Sequence, residues 1–380
     1  MMLTDTQRAI RDAVRDFSQM QVRPRAFEFE RDGAYPKALF TELGGLGLMG
    51  MTAPADLGGA QADYVSYVLA LTELAAADGA LATIVSIQNS LLVNGLLAHG
   101  SDVQKLCFLP GLISGEVIGA FALSEADAGS DAAAIHSRAS KVRGGWRLSG
   151  TKQFITSGRI AGVVMVFAVT DPGLGKKGIS AFLLPTDRPG YIVDKVEKKM
   201  GQGASDTCAL RFDEIFLEDE LMLGQQGQGY RIALSNLEAG RLGIAAQSVG
   251  MAQAALQIAI DYAQQRHSMG KAIIEHQAVG FRLADLATRL EAARQLILHA
   301  ASLKDGHVSC LVEASMAKLF ASEAAEAICT GAIQTLGGYG YLEEFGLAKI
   351  YRDVRVCQIY EGTSDIQRMV IGRALGTMTY

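Results

Sequence analysis

Apolar residues in the last third of the chain recur at helical spacing over a long stretch. Across residues 279–300 they follow one another in steps of four and three, the seam along which antiparallel helices pack. The same spacing continues on a next helix, which the glycine pair at 337–338 should end, through Met316, Phe320, Ala324 and Ile328. The pattern predicts a C-terminal four-helix bundle over residues 226–380.

The first 119 residues also carry helical signals. Thr4 and Gln7 have the spacing of a capping box, and so do Ser101 and Gln104. Apolar stretches at residues 64–76 and 82–99 lie between the two boxes. We expect Pro110 to end the helix that the second box opens. Residues 1–119 are therefore predicted to form an N-terminal α-helical domain.

Between the two helical regions the pattern changes to that of β-strands. Val163–Val169 is a β-rich run that ends at Asp171-Pro172-Gly173, and residues 179–184 form another that ends at Pro185. Residues 120–225 are predicted to be a middle β domain, built as a barrel or sandwich. The fold class expected is mostly α with a central β domain.

Composition narrows the class of protein. At 380 residues the chain is too long for one hydrophobic core. Five scattered cysteines without a Cys-x-x-Cys pair argue against disulfides or a thiolate metal site, and no metal is expected. A net charge of −5 without a basic block argues against nucleic acid, and no apolar run is long enough to predict a membrane span. Because no basic leader precedes an apolar stretch at the N-terminus, we expect a cytoplasmic protein.

The most informative string is residues 359–368, in which Glu361 precedes Gly362-Thr363-Ser364-Asp365. Hydroxyl side chains after a glycine can open a helix and meet an anion or a polar cofactor edge. On this string alone, a capping or salt-bridged surface carboxylate is the better interpretation of Glu361. The rest of the chain changes that balance.

Five segments in the right order and spacing resemble those of the acyl-CoA dehydrogenase family. They are residues 121–131, residues 154–156, Arg266 with the pair His276-Gln277, residues 334–340 and residues 359–368. Each segment is a weak signal by itself, but together the resemblance covers about residues 3–376, and chance agreement at that density is improbable.

The resemblance implies α,β-dehydrogenation of an acyl-CoA thioester with FAD as cofactor. Glu361 would remove the pro-R α-proton while the β-hydrogen leaves as hydride to flavin N5, and the Glu361 N–H with a ribityl hydroxyl would stabilise the enolate oxygen. The residues implied to bind the cofactor within one subunit are Phe121, Leu123, Ser124, Gly129, Ser130, Phe154, Ile155, Thr156, Thr363, Ser364 and Asp365. Those implied to contact the substrate are Ser130, Glu238, Arg241, Glu361 and Gly362.

The resemblance also implies partners. The FAD of a neighbouring subunit would be contacted by Arg266, His276, Gln277, Gln334, Leu336, Gly337 and Gly338. A homotetramer is therefore expected, with an electron-transferring flavoprotein as the electron acceptor. Residues 240–245 look most similar to short-chain and short branched-chain members, so butyryl-CoA, isobutyryl-CoA and 2-methylbutyryl-CoA are the expected substrates.

Some positions depart from the family pattern. Phe154 stands where Trp is common, which reduces the stacking surface, and Ser124 stands where Thr is common. Some relatives carry their base on a bundle helix just before an Arg, but that position here is Gly240, next to Arg241, which leaves Glu361 as the only matching base.

Three alternatives remain. A flavin acyl-CoA oxidase would share the base and reduce dioxygen, although family oxidases are usually longer. A nitroalkane-oxidising relative uses Asp as its base, and Glu361 argues against it. A non-enzymatic acyl-CoA-binding protein of the same fold would lack a base or flavin contacts, and neither is missing here.

Overall fold

The computed structural model describes residues 2–376 and confirms the predicted fold class, with helices first, strands in the middle and helices at the end. The N-terminal helices are α1 (Asp5–Phe17), α2 (Ala26–Asp32), α3 (Lys37–Gly45), α4 (Tyr64–Ala77), α5 (Gly79–Ile87), α6 (Asn94–His99) and α7 (Asp102–Ile113). Both capping boxes form, with Thr4 at the start of α1 and Ser101 at the start of α7. The expected stop at Pro110 is wrong, because α7 runs on to Ile113. The proline ring is exposed, so its place in the last turn costs little beyond one helical hydrogen bond.

The middle region is an eight-stranded sheet in which neighbouring strands are not all consecutive along the chain. Its strands are β1 (Gly119–Ala122), β2 (Arg138–Val142), β3 (Gly145–Thr156), β4 (Val163–Val169), β5 (Ile179–Pro185), β6 (Tyr191–Val196), β7 (Thr207–Glu218) and β8 (Met222–Leu223). They pair in the order β6-β7-β3-β2-β4-β5-β8, and β1 lies parallel to β4. Just past β1, the carbonyl of Ser124 accepts a hydrogen bond of 2.9 Å from the Gln153 N–H of β3. This pairing brings two of the implied flavin segments side by side.

The C-terminal region is built on long helices. Its elements are α8 (Gly229–Gln265), the small hairpin of β9 (His267–Ser268) and β10 (Lys271–Ala272), α9 (Gln277–Asp305), α10 (Leu311–Leu336), α11 (Leu347–Val354) and α12 (Ser364–Ala374). The predicted seam of α9 is buried from Leu283 to Ala300, and α10 ends before Gly337 as expected.

The face predicted for α10 is partly wrong. Phe320 is 39% exposed and Met316 is only half-buried. The buried face is lined instead by small residues, including Ala314, Ala317 and Ala321. Small side chains let α10 approach α8 closely, so the packing favoured alanines over the bulkier apolar residues.

The N-terminal and C-terminal helices share one hydrophobic core. Residues of α4 and α5, such as Leu71 and Leu81, belong to the same buried cluster as Leu242 of α8 and Ile328 of α10. A buried ion cluster also joins the two regions, since Lys349 Nζ lies 3.3 Å from Asp78 of the N-terminal helices and 2.6 Å from Asp353. The two helical regions are therefore parts of one packed body.

Among residues 2–376, two helical stretches are long and apolar enough to cross a membrane by length and composition. They are Gly79–His99 and Gly229–Gln265. Most of each apolar stretch is buried within the fold. Packing in the protein core accounts for their apolar character.

Candidate active site

Glu361 lies on a strained turn that leads into α12. Its backbone φ is 52°, in the left-handed region that a residue with a side chain rarely adopts, and Gly362 follows with a φ of 88°. Thr363 then caps α12 by accepting a hydrogen bond from the Ile366 N–H. A non-glycine residue in this conformation costs on the order of 1–3 kcal/mol and persists where its surroundings hold it, often at functional sites.

The Glu361 carboxylate is buried without a partner. Neither oxygen has a hydrogen-bond partner among the residues that the structure describes. Burial raises the pKa of this carboxyl from 4.5 to about 7, and the nearby cations Lys318 and Arg241 offset only part of that rise. A carboxylate with a pKa near neutrality and no fixed hydrogen bond is suited to act as a general base.

Two residues of α8 shape the space around this carboxylate. A Cβ atom on Gly240 would lie 1.6 Å from Glu361 Oε2, so only glycine leaves room for the side chain. Arg241, beside it, is 6% exposed and donates to Ser315 Oγ at 3.2 Å, while its Nε has no partner within residues 2–376. Burial lowers the pKa of Arg241, and the attraction of Glu361 and Glu238 opposes this.

Tyr67 and Ser86 close the space next to α8 one turn further along. Both side chains are buried, and their hydroxyls lie 3.4 Å apart. A Cβ atom on Gly243 would lie 2.0 Å from Ser86 Oγ and 3.0 Å from the Tyr67 hydroxyl. Burial raises the pKa of Tyr67, and the nearby Glu361 carboxylate raises it further. The helices α4 and α5 therefore press against α8 beside the base.

Two buried polar side chains that sequence reasoning missed hold the turn at Glu361. Lys318 of α10 donates from Nζ to the carbonyls of Tyr360 and Gly362, and Gln367 of α12 donates to the carbonyls of Glu361 and Gly362. Both are 0% exposed. The sequence offered one signal for Lys318, which stands among the small residues of a helix face. A lysine is seldom buried on such a face unless it has a partner.

Glu238, an implied substrate residue, is partly engaged elsewhere. Its carboxylate accepts a hydrogen bond of 3.0 Å from Lys304 Nζ at the end of α9. Lys304 also lines a cavity of about 690 Å³, together with Thr52, Tyr64 and Ser309. Glu238 and Arg241 are three residues apart on α8, so their side chains lie on the same side of the helix.

The implied flavin segments meet at the end of β3. Phe154 is 65% exposed with a φ of 61°, at an irregularity in the pairing of β3 with β7. Thr156 is half-buried, whereas Ile155 is 2% exposed and packs in the core of the β domain. Phe154 and Thr156 can therefore offer side chains to a flat ligand, and Ile155 can offer only its backbone.

The first flavin segment divides in the same way. Phe121 packs on Phe167 with ring centres 4.9 Å apart, and Leu123 is 7% exposed, so both side chains belong to the core. Gly129 and Ser130 lie in the exposed loop that follows. The start of this loop is fixed by Glu125, whose carboxylate accepts a hydrogen bond of 2.8 Å from the buried Lys152.

Two segments implied to contact a neighbouring subunit's FAD come together in one pocket. Arg266 lies at the C-terminal end of α8, and it lines a pocket of about 430 Å³ with Leu336, Gly337 and Gly338. Its exposed guanidinium has no hydrogen-bond or ion-pair partner in the part of the chain that the structure describes. A free planar cation beside two glycines, one with a φ of 60°, suits a pyrophosphate or a similar anion.

The remaining implied cofactor residues lie at the ends of α9, α10 and α12. His276 donates from Nε2 to the Ser268 carbonyl at 3.1 Å, and neither Gln277 nor Gln334, both exposed, lines the pocket of Arg266. At the start of α12, Asp365 is exposed, and Ser364 Oγ is buried without a partner within residues 2–376. A buried hydroxyl without a partner fits a site completed by a polar ligand.

Comparison with known proteins places this geometry in a family. Models of the N-terminal, middle and C-terminal domains of acyl-CoA dehydrogenases match residues 4–116, 120–215 and 227–376. The acyl-CoA dehydrogenase of Bacillus subtilis (strain 168) is 44% identical over 375 residues, 99% of this chain and 99% of that protein.

Solved structures agree. Butyryl-CoA dehydrogenase from Megasphaera elsdenii superposes with a TM-score of 0.96 at 40% identity, over 99% of both chains. A chain in the structure of the electron transferring flavoprotein of Acidaminococcus fermentans superposes with a TM-score of 0.97 at 38% identity, also over 99% of both chains. The matches confirm the resemblance found in the sequence, and the chain belongs to the acyl-CoA dehydrogenase family of flavoproteins and is an oxidoreductase.

Proposed function

We propose that this chain catalyses FAD-dependent α,β-dehydrogenation of a short acyl-CoA thioester to the trans-2-enoyl-CoA, with Glu361 as the base. The observation that carries the proposal is the Glu361 carboxylate, buried without a partner and with its pKa raised to about 7. In water at neutral pH an ordinary Glu is almost fully ionised but too weakly basic for a thioester α-proton. The raised pKa makes the carboxylate a stronger base, and a fraction of it is still ionised at neutral pH.

The residues around the base support its role. Arg241 and Lys318 keep a fraction of the carboxylate ionised at neutral pH, because each attracts its negative charge. Gly240 leaves the space into which the carboxylate points. The Glu361 N–H has no acceptor within the described residues, so it is free to donate to the thioester oxygen as the enolate forms.

The residues present also fit FAD. Phe154 and Thr156 would lie against its ring, Ser364 would give its hydroxyl to a polar part of the cofactor, and Arg266 of a second subunit would bind phosphate. FAD, when bound, accepts the hydride that leaves the β-carbon. The protein's contribution is to hold the acyl chain so that the base reaches the α-carbon and water is excluded.

The residues next to the base are consistent with a short acyl chain. Tyr67 and Ser86 pack against Gly243, one turn beyond Gly240, and we infer that they bound the acyl pocket between α4, α5 and α8. Butyryl-CoA, isobutyryl-CoA and 2-methylbutyryl-CoA are the proposed substrates, consistent with a function in fatty acid β-oxidation or branched-chain amino acid degradation. The similarity to butyryl-CoA dehydrogenase supports the unbranched compound first.

Anaerobic bleaching of the flavin with a panel of acyl-CoA compounds tests cofactor, reaction and chain length together. The wild-type protein should bleach fastest with four-carbon or short branched chains. Glu361→Gln should retain FAD and bind the same compounds, while losing nearly all bleaching, because the amide cannot accept a proton. A Glu361→Gln variant that bleaches at the wild-type rate would remove Glu361 from the mechanism.

An electron-transferring flavoprotein is the proposed acceptor. This chain is similar to a chain in the structure of the electron transferring flavoprotein of Acidaminococcus fermentans, and that similarity supports the choice. The second candidate, an acyl-CoA oxidase, would share Glu361 and pass electrons to dioxygen. Stoichiometric peroxide during aerobic turnover would favour the oxidase, and rapid reoxidation by an added electron-transferring flavoprotein without peroxide would favour the dehydrogenase.

A homotetramer is proposed because the pocket of Arg266 is surrounded by exposed apolar side chains. Tyr341 is 85% exposed, Leu342 is 44% exposed and Met269 is 92% exposed. Exposed apolar groups beside a ligand pocket are typical of a contact with another chain. Light scattering of the purified protein should give four times the chain mass of 40.4 kDa.

A further inference from the structure

Three consecutive carbonyls at the base are held by two buried side chains. Lys318 Nζ donates to the carbonyl of Tyr360 at 2.8 Å and also to that of Gly362. Gln367 Nε2 donates to the carbonyl of Gly362 at 2.9 Å and to that of Glu361 at 3.3 Å. Both donors are 0% exposed, and they approach the turn from two different helices, α10 and α12.

These contacts fix the direction of the peptide N–H groups. In a trans peptide the C=O and N–H of one unit lie in one plane and point in opposite directions. Because the Tyr360 carbonyl points at Lys318, the Glu361 N–H must point away from Lys318. That N–H has no acceptor within residues 2–376, and it belongs to the same residue as the base.

The same four hydrogen bonds hold Glu361 in its unusual backbone conformation. A φ of 52° is unfavourable for glutamate, so the turn would relax if its carbonyls were free to rotate toward water. Hydrogen bonds to a buried charged donor are among the stronger ones in proteins. Lys318 therefore stabilises a conformation that Glu361 would otherwise leave.

We propose that Lys318 and Gln367 are positioning residues that aim the Glu361 N–H at the thioester oxygen of the substrate. Neither side chain needs to touch the substrate. Lys318 has a second effect, because its positive charge favours the ionised form of Glu361. Gln367 has no charge and acts through orientation alone. This inference rests on the proposed function, since it assigns the residues that support the same base.

The charged and titratable groups around Glu361 come from several helices. Arg241 reaches it from α8, Lys318 from α10 and the Tyr67 hydroxyl from α4, while Cys357 lies close to Lys318. Burial lowers the pKa of Lys318 to about 8, so it is mostly protonated at neutral pH. Loss of the Lys318 charge should move the pKa of Glu361 further upward, and loss of Gln367 should not.

A substrate analogue separates proton removal from oxidation. In 3-thiabutyryl-CoA a sulfur replaces the β-carbon, so the α-proton can leave but no hydride can follow. The holoenzyme should bind it as the enolate, and the enolate beside the oxidised flavin should give a long-wavelength absorption band. Titration of this band with the analogue gives the enolate-binding constant. Repeating it from pH 5 to pH 9 gives the pH at which Glu361 accepts the proton.

Lys318→Met should weaken enolate formation by about 10²-fold, the usual effect of losing one aligned oxyanion donor, and should move the pH midpoint upward. Gln367→Leu should weaken the band without moving its midpoint. Lys318→Gln, which keeps an N–H donor but no charge, should move the midpoint upward with a smaller loss of the band. Retention of FAD and of the circular dichroism spectrum shows that each variant is folded.

The matched control is Lys349→Met, which also removes a buried lysine but touches neither the base nor its carbonyls. It should lower the unfolding temperature and leave the band and its midpoint unchanged. If Lys318→Met fails to fold, Gln367→Leu and Lys318→Gln decide the question.

Bands equal to that of the wild-type protein in the folded variants overturn the positioning role. A wild-type protein that gives no band and is not bleached by butyryl-CoA would instead overturn the proposed function.

Discussion

Gly240→Ala should inactivate the enzyme while leaving its fold intact. The added methyl carbon would start 1.6 Å from Glu361 Oε2, so the carboxylate must move by more than an ångström to reach an ordinary contact. A displacement of about 1 Å between reacting groups costs about 10²-fold in rate. Alanine is favoured over glycine inside a helix by about 1 kcal/mol, so the variant should be no less stable than the wild-type protein.

The assay for Gly240→Ala is stopped-flow bleaching of the flavin by butyryl-CoA without oxygen. The variant should retain FAD and its unfolding temperature, and the bleaching rate should fall by about 10²-fold or more. Gly372→Ala is the matched control, because Gly372 lies within α12 and an added Cβ would meet nothing within 4 Å. Wild-type bleaching by Gly240→Ala would show that the carboxylate works from a different position than the one described.

Three further outcomes are expected. The rate of flavin reduction at low substrate concentration should rise with pH through about 7. Glu361 must be ionised to accept a proton, and its pKa is raised to about 7. A midpoint near pH 4.5 would contradict the burial of this carboxyl. The raised pKa also means that the fold favours the protonated form of Glu361. The stabilisation from this carboxyl is fully present below about pH 4.5 and is lost as the pH rises through 7. Glu361→Gln should therefore stabilise the apoprotein at pH 9 by up to about 3 kcal/mol, and not at pH 4, in urea titrations. Arg266→Gln should weaken FAD binding measured by fluorescence while leaving monomer secondary structure unchanged; unchanged affinity would exclude Arg266 from the cofactor site.

Much of the architecture could be predicted from local patterns. The capping box at Thr4 formed because its two hydrogen bonds depend only on residues three apart. The seam from Leu283 to Ala300 was visible because one face of a long helix is buried along its length. The stop at Pro110 was wrong, because a proline in a last turn loses one hydrogen bond and the rest of the helix can absorb that loss.

The site was predictable only in part. Glu361 was found through its motif, and its strained φ and buried carboxylate are consistent with the role proposed for it. Lys318 and Gln367 were missed because the role proposed for them depends on contacts in the folded chain. They lie 42 and 6 residues along the sequence from carbonyls that they hold. Phe320 was placed in the core because apolar periodicity does not show which helix a face will meet.

The single core shared by the first and last thirds of the chain has a consequence for biosynthesis. Leu71 and Leu81 emerge from the ribosome long before Leu242 and Ile328, the residues they are buried with, have been made. The early helices must therefore wait with their apolar faces exposed, which is the state in which chains aggregate. A nascent chain stopped before α8 should bind chaperones, and release from the chaperone should follow only after the last helices have been synthesised.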